Sequence, residues 1–433
     1  MPFSTDTRTL RPGDTYVAIR GERHDGHDFV REAFKRGASG VVTERKIAGV
    51  STDRVIVVPD TVIYLAELAR EKIEQACTRV IAITGSVGKT TTRSAVAQVL
   101  KSAGPVVASV GNLNTLLGLS LTLVNSDLKP NTCLVLEMGA TRKGDLSEIT
   151  TYFKPDISIV TNVRGVHLET FGSLDGVQEA KSELVRALGP AGIACLNADD
   201  SRTRAMVTYC RGEHLLFGIA PDAQITPLDI TANIPLLGGH VIYVALAAFA
   251  AGRAVGMEPE VINEALCRLK PEKGRLNRLP GRRQSILIDD TYNASPDAVK
   301  SALDVLDKHP AERRIVFLGD MLELGPVEHA AHVSALQEAA IIADLVYGCG
   351  PRMQAAVNEL PPELARYVQG FPSSKELASE LAHGRVYRPK RGDVILVKGS
   401  QGARMERVSR VLLAEHISPK SVLPRQTEAW LSI

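Results

Sequence analysis

An apolar run, Val80-Ile81-Ala82-Ile83, leads directly into Thr84-Gly85-Ser86-Val87-Gly88-Lys89-Thr90-Thr91-Thr92 and then into a helical pattern over Ser94–Leu100. A short apolar run, a glycine-bearing loop and a helix in that order describe one unit of a parallel α/β sheet. Glycines let successive backbone N–H groups curl round an anion without a Cβ in the way, and the helix start adds unpaired donors and a partial positive charge. In such a loop Lys89 can reach terminal phosphates and the Thr90 hydroxyl can bind Mg²⁺. The widespread form carries a glycine five positions before the glycine of the GK pair. Ile83 stands there, so the match is to the shorter pattern TGxxGKTT. Nucleotide binding through Gly85, Ser86, Val87, Gly88, Lys89, Thr90 and Thr91 is the expectation, in preference to an ordinary turn with a chance GKT.

Similar runs recur: Thr132–Leu136, Ile157–Val160, Ile286–Ile288, Ile315–Leu318 and Val394–Val397, separated by helical patterns. Alternation of this kind predicts parallel sheets with crossover helices. A chain of 433 residues is too long for one core, and three blocks suggest themselves. Residues 1–78 form a small α/β unit ending in a helix near Val62–Ala76, residues 79–281 open on the loop strand, and residues 282–433 restart the alternation after the turn-rich Leu279-Pro280-Gly281-Arg282-Arg283.

A net charge of +2 gives no reason to expect a nucleic-acid surface. No apolar run approaches the length needed to span a bilayer, and the N-terminus lacks the pattern of a signal peptide. The six cysteines are scattered without a CxxC pair, which argues against structural zinc or a disulfide framework and fits a reducing cytoplasm.

Two residues follow predicted strands, where ligands sit in open α/β sheets. Glu137 offers a hard oxygen suited to Mg²⁺, although a solvated strand end accounts for it as well. His167 is open between a metal ligand and a loop histidine bonded to a carbonyl. Lys181 lies in a helical pattern where an exposed lysine paired with a nearby glutamate is the ordinary reading. His240 precedes an Ala-rich helix, Val241–Ala251, and is open between a nucleotide contact and a helix-start histidine satisfied by local backbone.

The motifs also occur in a set order: TGSVGKTTT, GNLNTLLGLSLTL, LEMGATRKGDL, TNVRGVHLETFGSLDGVQEAKSEL, LNADD, GRLN, IDDTYNASPDAV, LGDMLELG and VKGSQGARMERV. Together they resemble the Mur ligase family, and IDDTYNASP with LGDMLELG looks like its MurF type. The segment with DGHDF resembles the nucleotide-sugar domain shared by the MurE and MurF types. The resemblance implies a three-domain α/β architecture: a UDP-sugar domain over 1–78, a central P-loop ATP-binding domain over 79–281, and a Rossmann-like C-terminal domain over 282–433 that binds an incoming dipeptide.

It further implies an ATP-dependent ligase that adds D-alanyl-D-alanine to UDP-N-acetylmuramoyl-tripeptide through an acyl phosphate, in peptidoglycan precursor synthesis, with ATP and Mg²⁺ required and a monomer expected. By resemblance Lys89 holds the β- and γ-phosphates, Thr90, Glu137 and His167 hold Mg²⁺, and Lys181 matches a lysine that becomes carbamylated. Asn162 lies beside the γ-phosphate and the substrate carboxylate. Arg275 and Asp290 meet the phosphates and ribose. Asp25, Gly26 and His27 belong to the UDP-sugar site, and Asn112 and Asn114 face the muramoyl substrate.

Three departures accompany the resemblance. Little chain precedes the DTR segment, in which Thr7 replaces the usual Ser. The stretch between Asp200 and Ile234 is short. Valines occupy positions 241 and 244, where the family carries asparagines and the second meets adenine, which predicts weakened purine selectivity. Two other readings remain: a Mur-like ligase with a different acceptor, and a degenerate paralogue that binds a nucleotide or UDP-sugar without catalysis. The intact set Lys89, Thr90, Glu137, His167, Lys181, Arg275 and Asp290 argues for an active ligase.

Overall fold

The computed structural model describes residues 2–21, 24–165 and 168–431. Their strands form three sheets. The first is parallel, in the order β1 (Phe3–Ser4), β2 (Thr15–Val17), β3 (Gly40–Thr43) and β4 (Val55–Val57). The helix Thr61–Gln75 follows, its Asp60 side chain accepting from Val62 N and Ile63 N as an N-cap. Leu65 of this helix packs with Val17 and Val42 of the first sheet, whereas Ala66, Ala69 and Ile73 pack with Val80, Leu116 and Leu119 of the next unit. One helix thereby joins two cores.

The central sheet comprises β5 (Arg79–Thr84), β6 (Val106–Ala108), β7 (Cys133–Glu137), β8 (Ile157–Val160), β9 (Ile193–Asn197) and β10 (Glu213–Phe217). Its order is β10-β9-β8-β5-β7-β6, all parallel. Residues 80–84 of β5 are buried, as a strand covered by helices on both faces must be. The helices Lys89–Leu100 and Val241–Ala254 pack on one face, and Thr61–Gln75 and Leu116–Val124 on the other. After β5 the chain visits β6 and then β7 on one side, then β8, β9 and β10 on the other, so the direction of winding switches at β5. Crevices at such switch points, beyond the carboxyl ends of the strands, are where open α/β sheets bind ligands.

The third sheet contains β11 (Asn277–Pro280), β12 (Ile286–Asp290), β13 (Arg313–Gly319), β14 (Leu345–Cys349), β15 (Val368–Phe371) and β16 (Asp393–Lys398). The order is β11-β12-β16-β13-β14-β15, parallel except for antiparallel β11. The expected division at residue 281 therefore shifts. The segment 277–280 is an edge strand paired with β12, so the chain leaves the central sheet before residue 277. Turn-forming residues at 280–281 mark the hairpin between β11 and β12 and not the crossing itself. No helix among the described residues is long and apolar enough to cross a membrane.

Candidate active site

The turn after β5 is fixed by close approach to the loop after β8. A Cβ at Gly85, whose φ is +144°, would run into the Thr161 hydroxyl, so only glycine fits there. Asn162 grips the same turn at both ends of its amide. Its Oδ1 accepts from Val87 N at 2.9 Å, and its Nδ2 donates to Val87 O at 3.0 Å. Thr161 Oγ1 also donates to Val87 O, and Ser86 Oγ donates to Arg164 O. In this structure Asn162 shapes the loop, and the second hydrogen of its Nδ2 is left over from these two bonds.

Lys89 opens the helix Lys89–Leu100, and its Nζ donates to Gly85 O at 2.8 Å and Ser86 O at 3.3 Å. Desolvation pulls its pKa below the usual lysine value, opposed by the charge of Glu137 and reinforced by that of Arg275. Next along the helix, the buried Thr90 accepts from Arg275 Nη2 at 3.2 Å.

Glu137 ends β7 on the other side of β5 and is 3% exposed. Asn114 Nδ2 donates to its Oε1 at 3.1 Å, while its Oε2 is buried without a partner. An orphaned carboxylate oxygen in such a place is costly unless a cation or donor arrives. Asn112 stands exposed on the same loop as Asn114. Among the described residues no group of three or more His, Cys, Asp or Glu side chains could cage a metal. Mg²⁺ takes one or two protein ligands and completes its shell with phosphate and water, a share that the free Glu137 oxygen and the Thr90 hydroxyl would fit. His167 lies outside the described residues.

Lys181, on the helix Leu174–Arg186, is almost completely buried, with Nζ 5.7 Å from the Phe171 ring centroid. Burial first, and the nearby Lys89 second, bring its pKa down to about 7. A lysine at the surface, the ordinary reading of its sequence neighbourhood, is therefore set aside. Its amine is held near the point of neutrality, as formation of a carbamate requires.

The segment before the third sheet reaches into the site. Arg275 stacks 4.1 Å from the Tyr292 ring centroid while bonding Thr90. Asp290 ends β12 opposite Lys398 at the end of β16, and Lys398 Nζ donates to Asp290 Oδ2 at 2.5 Å. Leu276 N donates to the other Asp290 oxygen at 3.1 Å. Lys398 and Tyr292 lie in motifs singled out from the sequence, but no role was read for either. A lysine directly after an apolar strand run was the available signal for Lys398.

Asp25, Gly26 and His27 are tied together by contacts within their own loop. The His27 side chain is fully enclosed. Its Nε2 accepts from Glu44 N at 2.9 Å, which leaves Nδ1 to donate to Asp25 Oδ1 at 2.6 Å. The His27 backbone N–H, and then its ring, hold the Asp25 carboxyl down at about 2. A Cβ on Gly26 would stand 2.6 Å from Ile19 N. These residues build the loop, and Asp25 also faces Arg45 at 3.1 Å.

His240 sits exposed at the start of the helix Val241–Ala254, 3.5 Å from Ser301 Oγ. Val241 and Val244 are buried in that helix at 7% and 4% exposure, so neither position presents a polar group to a base.

Three family models match the chain: the Mur ligase family catalytic domain over residues 3–73, the Mur ligase middle domain over 83–252, and the Mur ligase glutamate ligase domain over 274–401. The UDP-N-acetylmuramoyl-tripeptide–D-alanyl-D-alanine ligase of Bacillus subtilis is 32% identical, covering 96% of this chain and 93% of its own. The chain belongs to the Mur ligase family. Within the family this Mur ligase is of the MurF type. The structure of MurF from Thermotoga maritima in complex with ADP superposes with a TM-score of 0.80 at 29% identity, covering 95% of this chain and 96% of that one. A UDP-N-acetylmuramoylalanyl-D-glutamyl-2,6-diaminopimelate–D-alanyl-D-alanyl ligase from Acinetobacter baumannii gives 0.82 at 27% identity, covering 95% and 92%. The MurF matches confirm for this Mur ligase the three-domain α/β fold that the motif order implied.

Proposed function

We infer that this Mur ligase uses ATP to join D-alanyl-D-alanine to UDP-N-acetylmuramoyl-tripeptide, a step of peptidoglycan precursor synthesis. The observation that carries the reading is the unpartnered buried oxygen of Glu137, on the strand next to the one that feeds Lys89 and Thr90, in a chain similar over nearly its whole length to ligases of that name. A nucleotide-binding paralogue without catalysis has no physical need for that orphaned oxygen or for a buried lysine titrating near neutrality.

The substrate carboxylate attacks the γ-phosphate of ATP, and ADP leaves. The loop N–H groups and the Lys89 ammonium hold the phosphates and offset the charge that builds on the transferred group. Thr90 and Glu137 would hold Mg²⁺, with His167 as a further candidate ligand; the ion supplies additional charge neutralisation. Arg275 must release the Thr90 hydroxyl for this, and the phosphates are its natural new partner. The amine of D-alanyl-D-alanine then attacks the acyl phosphate and phosphate departs. Closure of the third domain over the central one would keep water from the intermediate. Asp290 is proposed to meet the ribose, with Lys398 as its support. The half-buried Asp25 and the exposed Asn112 are the members of their loops proposed to reach the UDP-sugar substrate.

A working monomer is the proposed state, and water-soluble reactants make the cytoplasm the proposed place of action. Phosphate release measured with UDP-N-acetylmuramoyl-tripeptide, D-alanyl-D-alanine and ATP, each omitted in turn, tests the assignment. Release that persists without D-alanyl-D-alanine, or occurs equally with an unrelated acceptor, overturns it.

A further inference from the structure

A cleft of about 570 Å³ opens beside the phosphate-loop helix. Arg93, Ser94 and Lys101 of that helix form one wall, and Arg268, Lys270 and Glu272 form the facing one. Four side chains in it are cationic and one is a carboxylate. Arg93 is the buried anchor at 5% exposure. It donates to Ser109 O, and to Glu272 Oε1 at 3.3 Å, and its Nε has no partner. The Ser94 hydroxyl donates to the same Glu272 oxygen. Lys101, Lys270 and Arg268 are exposed, and Arg268 leans toward Glu264 at 3.4 Å.

Ser109 ties this cleft to the reaction centre. Its carbonyl carries Arg93, and its hydroxyl accepts from Glu137 N at 2.9 Å. The carboxylate activated beside Glu137 belongs to the third residue of the tripeptide. That residue's own side chain therefore starts one bond from the reacting group and must leave along a neighbouring surface.

Resting on the ligase reading above, we propose that this cleft receives the side chain of the tripeptide's third residue and selects one that ends in both an ammonium and a carboxylate over one that ends in an ammonium alone. Glu272 can accept from the ammonium of either. Only the added carboxylate finds partners in Lys101, Arg268 and Lys270. A bare ammonium meets three like charges there, uncompensated by any charge of its own. Diaminopimelate and lysine share a four-carbon reach and differ in that terminal carboxylate, so they isolate the effect.

The test is kcat/KM for phosphate release with tripeptide substrates whose third residue is diaminopimelate or lysine. A preference of at least about tenfold for diaminopimelate, roughly 1.4 kcal/mol and carried mainly in KM, is expected. In the triple variant Lys101→Ala/Arg268→Ala/Lys270→Ala the ratio of the two falls toward one, which a loss of stability alone would not produce. Equal kcat/KM in the parent enzyme, or a ratio that survives the triple substitution, overturns the inference while leaving the ligase assignment intact. Absence of release with either substrate refutes the ligase assignment and the inference with it.

Discussion

Arg275 Nη2 lies 3.2 Å from Thr90 Oγ1, so the segment leading to the third sheet holds the hydroxyl that a phosphate-bound cation would need. The same guanidinium rests on Tyr292 and has an unpartnered Nε. Its stacked position and spare donor suit it to exchange a hydroxyl for a phosphate. Arg275→Ala is expected to lower kcat/KM for ATP by about 10²–10³, the usual loss for one donor aimed at developing charge. Arg275→Lys should recover little of this, because an ammonium cannot both stack and fork. Steady-state kinetics decide the matter, and near-parent activity in Arg275→Ala would remove the residue from the site.

Lys89→Ala should abolish phosphate release while leaving the melting temperature close to that of the parent. Its hydrogen bonds go to carbonyls of its own loop, which other elements already hold. Thermal unfolding alongside turnover checks both halves. An unchanged turnover number would sink the assignment.

Lys181 titrates near pH 7 when folded and at about 10.4 when unfolded. The unfolded chain thus binds more protons between those limits, and this group makes stability rise with pH across that window. Lys181→Met removes the burial cost and should raise neutral-pH stability by about 1–2 kcal/mol while turnover collapses. Denaturant titration at pH 7 and 10 would show the difference shrinking at the higher pH. A variant less stable than the parent at both pH values contradicts this account.

Asp289, next to the site carboxylate Asp290, is fully buried, and burial pushes its pKa up to about 7 despite hydroxyl donors from Ser409 and Thr291. Here the folded chain binds the extra proton between pH 4 and 7, so the contribution of Asp289 to stability falls as pH rises through that range. Asp289→Asn keeps an oxygen for both hydroxyls and should be more stable than the parent at pH 8 but not at pH 5. Parallel pH–stability curves for the two proteins would rule out the buried acid as their source.

Gly26→Ala should destabilise the first domain more than His27→Ala does. The alanine methyl would collide with backbone at Ile19, whereas loss of the imidazole leaves Glu44 N unsatisfied, a cost of about 1–3 kcal/mol. Differential scanning calorimetry separates them, and a neutral Gly26→Ala would mean that the loop can move aside.

Much of the catalytic frame was legible because it is local. Strand, turn and helix around residues 80–100 adjoin in sequence, and Glu137 is marked by the apolar run that ends on it. The phosphate loop's support was not legible, since Asn162 meets Val87 across 75 positions and Lys398 meets Asp290 across 108. The enclosure of His27 was not legible either, because a short polar motif shows its chemistry but not its exposure. The boundary set at 281 followed turn residues, which mark a hairpin as readily as a join between domains.

With Leu276 and β11 claimed by the third domain and Leu269 buried in the central core, residues 270–275 form the link between the two cores. Leu276 already sits at a φ of +45°, rare for a leucine. Any swing of the last domain must be absorbed within or beside this short link, and it holds both Glu272 and Arg275. The pivot and the proposed ligand contacts are therefore one piece of backbone. If Arg275 and Glu272 take the contacts proposed for them, rotation changes what the phosphates and the tripeptide side chain touch, and the domain angle becomes a readout of occupancy.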